Sequence, residues 1–167
     1  MSKLQARNEM VINAPVNKIW ETITDISQLH KIHPGVVKTT GAWNEKNCTR
    51  TCEMNNKGKK GAMTEKITEI IPEKEIIWTT ESDTMGMRKM MKNISFSMYL
   101  EPMGSNRTKV INESFYKPAN FLVSIMNGLM MKKMCSKFVP VFLKTFFSSL
   151  SHSLCLQKNW RVYNRIR

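Results

Sequence analysis

Acidic residues are in short supply here. Thirteen aspartates and glutamates stand against 26 lysines and arginines, giving a formal net charge of +13 over 167 residues. Net charge governs association rather than architecture, so the imbalance says little about fold. It favours anionic partners such as nucleic acid, acidic lipid headgroups or an acidic ligand, with dispersed solvated lysines as the plainer alternative. Histidine is scarce too, at three copies, and a metal centre ordinarily needs three or more ligands. Long apolar runs are absent. The longest, FVPVFLKTFF, contains Pro140 and Lys144 and is too short to span a bilayer. The opening MSKLQARNEM has no apolar run and is not read as a signal peptide. A cytoplasmic location is therefore expected, with the four cysteines reduced. No GxSxG elbow, P-loop or dinucleotide fingerprint occurs, so no cofactor is expected. Internal repeats and low-complexity linkers are also missing.

Hydrophobic residues make up 41% of the chain. That argues against disorder, and the length suits one domain with a real core. Fourteen methionines are many for this length, and they cluster at Met85–Met91 and Met126–Met134. Methionine is flexible and polarizable, so the clusters suit an adaptable cavity lining; a loosely specified core would explain them equally.

The patterning alternates between two periods. NEMVINAP reads as a strand with Met10 and Ile12 on one face, ended by Pro15, a residue suited to the start of a helix. Val16, Ile19, Trp20 and Ile23 then recur at helical spacing. A second helical piece, SQLHKI, stops before His33-Pro34-Gly35, because proline disfavours helix at the residue before it. Six strand-like stretches follow: VVKTTGAW, CTRTCEM, AMTEKITEII, EIIWTTES, KNISFSMYLEP and TKVINESFY. Short polar turns join them, which predicts antiparallel pairing. From Pro118 to about Cys155 the chain is rich in Leu, Ile, Met and Phe and reads as a long helix, with a kink or break expected at Pro140. Such a helix needs a sheet to bury its apolar face. The economical arrangement is α+β: a seven-stranded curved antiparallel sheet around a long C-terminal helix, with two short helices after the first strand and a space between sheet and helix. Residues 1–156 form one domain in this reading, and 157–167 a basic tail.

The segment INAPVNKIWETITDISQLHKIHPGVVKT resembles the opening of the SRPBCC superfamily, the START-like or helix-grip proteins, and within it the polyketide cyclase/dehydrase branch. The likeness rests on Ala14, Pro15, Ile19 and Trp20, then on His33, Pro34 and Val36. ITEIIPEKEIIWT resembles the strand, proline turn and strand that follow in that superfamily. The resemblance runs to about Leu156 and implies the helix-grip fold. It leaves activity open, since the superfamily holds cyclases, lipid carriers, hormone receptors and chaperone activators. The tail has no counterpart, and Pro140 is a departure.

Expected lining residues are Trp20, Trp78, Phe96, Met98, Met126 and Met130. Taken singly, each is as easily ordinary core; as a group, some must line the space. In the last strand Val110, Asn112, Ser114 and Tyr116 alternate with Ile111, Glu113 and Phe115. The resemblance favours the first set for the cavity, where Asn112 and Tyr116 would meet a polar ligand group. His30 and His33 fit a helix end at the cavity rim better than a metal site, and a catalytic role for one of them stays open. Cys48 and Cys52, four positions apart on a strand, are roughly 13 Å apart and cannot share one metal, so all four cysteines are read as structural and no metal is expected. Glu65, Glu69, Glu81 and Glu113 are candidates for acid–base chemistry, but no partner group is evident for any, and solvated strand positions are the expectation. Lys57, Lys59, Lys60, Arg88, Lys89, Lys92, Lys132, Lys133, Arg161, Arg165 and Arg167 are spread over several elements. They suit an anionic membrane surface beside a Met- and Phe-rich helix, and suit nucleic acid less well.

The functional expectation is a small hydrophobic or amphipathic ligand, lipid-like, polyketide-like or isoprenoid-like, held in the cavity. A cyclase or dehydratase working there is the alternative, with no catalytic pair identified. An interaction protein using its basic surface is a third class. Oligomeric state stays open.

Overall fold

The computed structural model describes residues 2–33, 35–56, 58–127 and 163–164. In chain order the elements are β1 (Lys3–Ile12), α1 (Val16–Thr24), a 3-10 turn (Ile26–Gln28), α2 (Leu29–Ile32), β2 (Val36–Gly41), β3 (Thr49–Asn56), β4 (Lys59–Ile71) and β5 (Glu75–Asp83). There follow α3 (Met87–Met90), β6 (Met91–Pro102), β7 (Thr108–Pro118), α4 (Phe121–Met126) and β8 (Tyr163–Asn164). The strands form one antiparallel sheet in the order β2-β3-β4-β5-β6-β7-β1-β8. Hairpins join β2 through β7 in sequence, but β1 pairs with β7. The segment carrying α1 and α2 therefore crosses from one side of the sheet to the other. Bulges interrupt the pairing at Leu4/Ala6, Val36/Lys38, Thr64/Glu65, Ile67/Glu69 and Lys92/Ser95. A bulge bends its strand and increases local twist, which is how a sheet of this width curls.

One face of the sheet is buried. On β5 it carries Ile76, Trp78 and Thr80; on β6 Met98 and Leu100; on β7 Thr108, Val110, Asn112, Ser114 and Tyr116. The core joins Met10, Ile12, Ile19, Trp43, Ile67, Ile76, Trp78, Met98, Leu100 and Val110, and Val16, Trp20 and Ile23 pack α1 against it. The opposite, more open face is charged, although Ser97 and Ile111 are buried on it: Arg7 bonds Glu9 at 2.8 Å and Glu113 at 2.7 Å.

Local chemistry explains the boundaries. Pro15 caps α1 one residue before its first helical position. His33 ends α2 in an extended conformation, φ −100° and ψ 109°, as the residue before a proline prefers. Gly41 closes β2 at φ +108°, where an added Cβ would stand 2.3 Å from the Thr49 carbonyl oxygen. Gly41→Ala is therefore expected to destabilise, by more than the roughly 1 kcal/mol that the same change gains at a site with compatible backbone angles, read as a lowered urea midpoint.

The structure departs from expectation in several places. β1 begins at Lys3, because Lys3, Gln5 and Arg7 are polar and hide the strand from hydrophobic periodicity. Tail residues Tyr163 and Asn164 add a short eighth strand to the expected seven, paired with Glu9 and Asn8. α3 was not anticipated; it follows Gly86, at φ +89°, and the Asp83 carboxylate accepts the N–H groups of Met85 and Arg88. Pro118 ends β7 instead of opening the last helix. Asn120 opens α4, its side chain accepting the Val123 N–H. The rest of the expected long helix, with Met130 and Pro140, lies outside the described residues. Among the described residues no helix is long and apolar enough to cross a membrane.

Candidate functional site

Two polar groups interrupt the apolar buried face. The first spans β3, β4 and β5. Arg50 and Glu65 stand directly opposite each other across β3 and β4, at 9% and 4% exposure. The Arg50 Nε and Nη2 groups donate to Glu65 Oε2 at 2.8 and 2.7 Å. The Trp78 indole N–H donates to Glu65 Oε1 at 3.1 Å. Both carboxylate oxygens are thus occupied by protein donors, as a buried charge requires. The Arg50 guanidinium lies 3.7 Å over the Trp43 ring, a cation–π contact strengthened by exclusion of water. Trp43 meets Trp78 edge-on at 6.0 Å, and Trp78 stacks on Phe96 at 5.6 Å. A guanidinium carries five N–H groups. Those not spent on Glu65 have no acceptor among the described residues.

His33 belongs to this group. Burial lowers its pKa below the ordinary 6.5, with the Arg50 charge adding to the effect and Glu65 opposing it. The Gly35 N–H approaches Nδ1 at 3.3 Å, favouring the tautomer with its proton on Nε2. His30 is exposed. The two histidines therefore part: one faces solvent and the other the buried charges. Cys52, beside them on β3, has its thiol pushed up to about 11, by burial first, with Glu65 adding and Arg50 opposing; it is a thiol at neutral pH. A pH effect follows from His33. Its folded pKa is lowered, so between that value and about 6.5 the unfolded chain binds more protons. His33's contribution to stability is present above about 6.5 and is lost as pH falls through the folded value. Urea midpoints should drop on acidification across this window, and His33→Gln should reduce the drop.

The second polar group spans β1, β7 and α4. The Tyr116 hydroxyl donates to Asn127 Oδ1, Asn127 Nδ2 donates to Gln5 Oε1 at 3.0 Å, and Gln5 Nε2 donates to the Tyr116 carbonyl at 3.0 Å. This closed ring ties the start of the last helix to the sheet. Beside it Asn8 faces Asn112 across the β1–β7 pair. Asn8 is 3% exposed, and its Oδ1 has no hydrogen-bond donor among the described residues. An orphaned buried acceptor costs about 1–3 kcal/mol, which a donor on a bound molecule would offset.

Residues 3–146 match the sequence profile of the family described as polyketide cyclase / dehydrase and lipid transport. The chain belongs to this family. No curated protein sequence matches it. Among solved structures, the Zhui aromatase/cyclase from Streptomyces sp. R1128 is similar with a TM-score of 0.69 at 12% identity, over 89% of this chain and 93% of that one. A START superfamily protein from Mycobacterium smegmatis gives 0.70 at 10% identity, over 89% and 99%. Norcoclaurine synthase from Thalictrum flavum, in complex with dopamine and hydroxybenzaldehyde, gives 0.69 at 13% identity, over 95% and 90%. These likenesses establish the helix-grip fold.

The residues singled out from the sequence fall in different places within this family's fold. Trp78, Met98, Asn112 and Tyr116 lie on the buried face. Phe96 stacks there on Trp78, and Trp20 packs on the core from α1. The Tyr116 hydroxyl is committed to Asn127, which makes it a positioning group. Met126 is 45% exposed; one turn after the packed Val123 and about 60° around the helix from it, it sits at the margin of the packed side of α4 and is not enclosed. Among the carboxylates, Glu69 is exposed beside Lys46, Glu81 is exposed, and Glu113 pairs with Arg7 on the open face. Glu65 corrects the expectation of a solvated position. It shares the buried face with Ile67, and Arg50 across the ladder makes that burial tolerable. Sequence reasoning missed Arg50 and Trp43. Their only signal was a strand pairing that brings position 50 opposite position 65.

Proposed function

We propose that the buried face binds a small amphipathic molecule. Its apolar body packs on Ile67, Trp78, Phe96 and Met98. An acceptor oxygen meets the unspent N–H groups of Arg50, and a donor meets Asn8 Oδ1. The observation that carries this reading is the coexistence, on one apolar face, of a buried arginine with donors to spare and an orphaned amide acceptor. Apolar burial supplies affinity in such sites, and a few placed polar groups set orientation. Arg50 on β3 and Asn8 on β1 are five strand spacings apart, roughly 24 Å along the curved sheet, so the ligand class is an elongated oxygenated lipid, polyketide or isoprenoid.

Native mass spectrometry after incubation with a total lipid extract tests this. One small molecule should bind at one-to-one stoichiometry, leave on denaturation and bind weakly to Asn8→Leu. Absence of any such species across lipid and polyketide extracts would count against it.

One observation favours an enzyme of the cyclase or dehydratase type as a second reading. A neutral imidazole beside an arginine is suited to hold developing negative charge on a carbonyl oxygen. His33→Gln would then abolish turnover of a bound polyketide while leaving its binding intact. Equal loss of both would restrict the protein to binding.

A further inference from the structure

The two ends of the sheet are closed differently. At one end stands β2, six residues long, bulged between Val36 and Lys38 and stopped by Gly41. A short, bulged edge that carries a lysine resists further pairing. At the other end β1 would be the edge but for β8. β1 is ten residues long, and after the bulge at Leu4/Ala6 its register with β7 runs unbroken from Ala6 to Ile12. A long, regular edge presents a row of N–H and C=O groups ready to pair with another strand. The chain's own C-terminal segment pairs there. β8 lies antiparallel along the middle of the regular stretch, with Tyr163 opposite Glu9 and Asn164 opposite Asn8.

The sequence around β8 has the pattern that this edge requires. In WRVYNRIR, Trp160, Val162 and Ile166 alternate with Arg161, Tyr163, Arg165 and Arg167. That is a period of two, rich in aromatic and β-branched residues, as in a strand with one apolar side. The edge itself has two different sides. Met10 and Ile12 belong to the buried core. On the open face stand the acids Glu9, Glu101 and Glu113 against Arg7 and Lys109, an acidic patch on a chain of net charge +13. Residues 157–167 carry Lys158, Arg161, Arg165 and Arg167 and no acid.

We propose that residues 160–167 are a strand that adds to β1 and closes its edge, so that this edge is a strand-addition site occupied by the chain's own C-terminal segment. Residues 160–162 and 165–167 lie outside the described residues. In the proposal they continue the register of the two described pairs. Trp160, Val162 and Ile166 then fall opposite Ile12, Met10 and Ala6, the positions that alternate toward the buried face. Arg161 and Arg165 take the two register positions diagonal to Glu9, where opposite charges attract. Arg165 also falls opposite Arg7, whose charge is held by Glu9 and Glu113. A slip of one residue would send the apolar set to the acidic face and the arginines to the buried one. The alternation in the sequence and the two described pairs thus select the same register independently. Main-chain hydrogen bonds give such an addition its affinity, and alternate side chains its specificity. The inference does not rest on the ligand reading.

Amide hydrogen exchange of the full chain, read residue by residue by NMR, is the test. The amides of Ala6 to Ile12 that point away from β7 are expected to be protected, to an extent unchanged by dilution. Tyr163→Pro removes a ladder donor from the middle of the added strand and should speed their exchange on the order of tenfold, leaving the amides of β5 and β6 unchanged. Val162→Lys with Ile166→Lys, which puts charge into the apolar set, should release the same amides. Arg161→Gln with Arg165→Gln should speed them about threefold at low salt and less at high salt. Unprotected amides in the wild type would overturn the proposal. So would an unchanged rate in Tyr163→Pro or in the lysine pair. Acceleration in β5 and β6 equal to that in β1 would mark general loosening and overturn it too. Sedimentation velocity decides which copy supplies the strand: a dimer that Tyr163→Pro dissociates would assign the edge to the C-terminal segment of a second copy instead.

Discussion

Glu65→Ala is expected to lower stability by about 3–5 kcal/mol, the cost of leaving a buried charge without its partner. The size follows from the surroundings. Glu65 takes donors from Arg50 and Trp78, and removing it strands the guanidinium at 9% exposure and the indole N–H beneath it. Glu65→Gln keeps the shape and a carbonyl acceptor but not the charge, so it should lose less than the alanine variant. The informative comparison is the double variant Arg50→Met with Glu65→Leu. Buried ion pairs exchanged for apolar residues of similar volume are often neutral or stabilising. If the double variant unfolds at or above the wild-type urea midpoint, the pair is held for what it binds and not for stability. If both single variants and the double are equally damaged, the pair is a structural support, and the reading of Arg50 as a ligand donor loses its basis.

Trp78→Ala should cost a comparable amount, about 3–5 kcal/mol. This side chain stacks on Phe96, meets Trp43 edge-on and donates to Glu65, so truncation opens a cavity and removes a donor from a buried carboxylate at once. Trp78→Phe separates the two effects. It keeps an aromatic against Phe96 and leaves Glu65 Oε1 short of one donor, for about 1–3 kcal/mol. A urea midpoint for Trp78→Phe close to that of Trp78→Ala would mean that the hydrogen bond, rather than the packing, dominates. A midpoint close to wild type would mean that water replaces the indole N–H.

What the sequence disclosed and what it hid follow from the range of each interaction. Strands β2 to β7 were legible because alternation and turn residues are local, and the stop at His33-Pro34 was legible because proline acts on its immediate neighbour. The β7 face carrying Val110, Asn112, Ser114 and Tyr116 came from the resemblance together with alternation. The first half of β1 was hidden because its polar residues serve pairing and the amide ring more than a core. Glu65 looked solvated because its strand alternates Met63, Glu65, Ile67 and Glu69, and a charge in such a run is usually outward. Bulges on either side of it reset which residues face in, so that Ile67 and Ile70 both reach the core. Arg50 was invisible for a related reason: its role exists only across the β3–β4 ladder. Met126 fitted an apolar stripe in the sequence, but a stripe does not say which side of a helix meets the sheet; Val123 and Asn127 decide that.

The most direct test of the central claim uses the indole N–H of Trp78 as a reporter. It sits on the buried face against Glu65, where an amphipathic ligand would lie. Nitrogen-15 NMR of the full chain, titrated with anilinonaphthalene sulfonate as an apolar probe bearing anionic oxygens, should shift that resonance and the amides of Asn8 and Asn112. The shifts should saturate together at one-to-one stoichiometry, and Arg50→Met should weaken them. Shifts confined to open-face residues such as Lys109 and Glu113, with the Trp78 indole unmoved, would contradict the account.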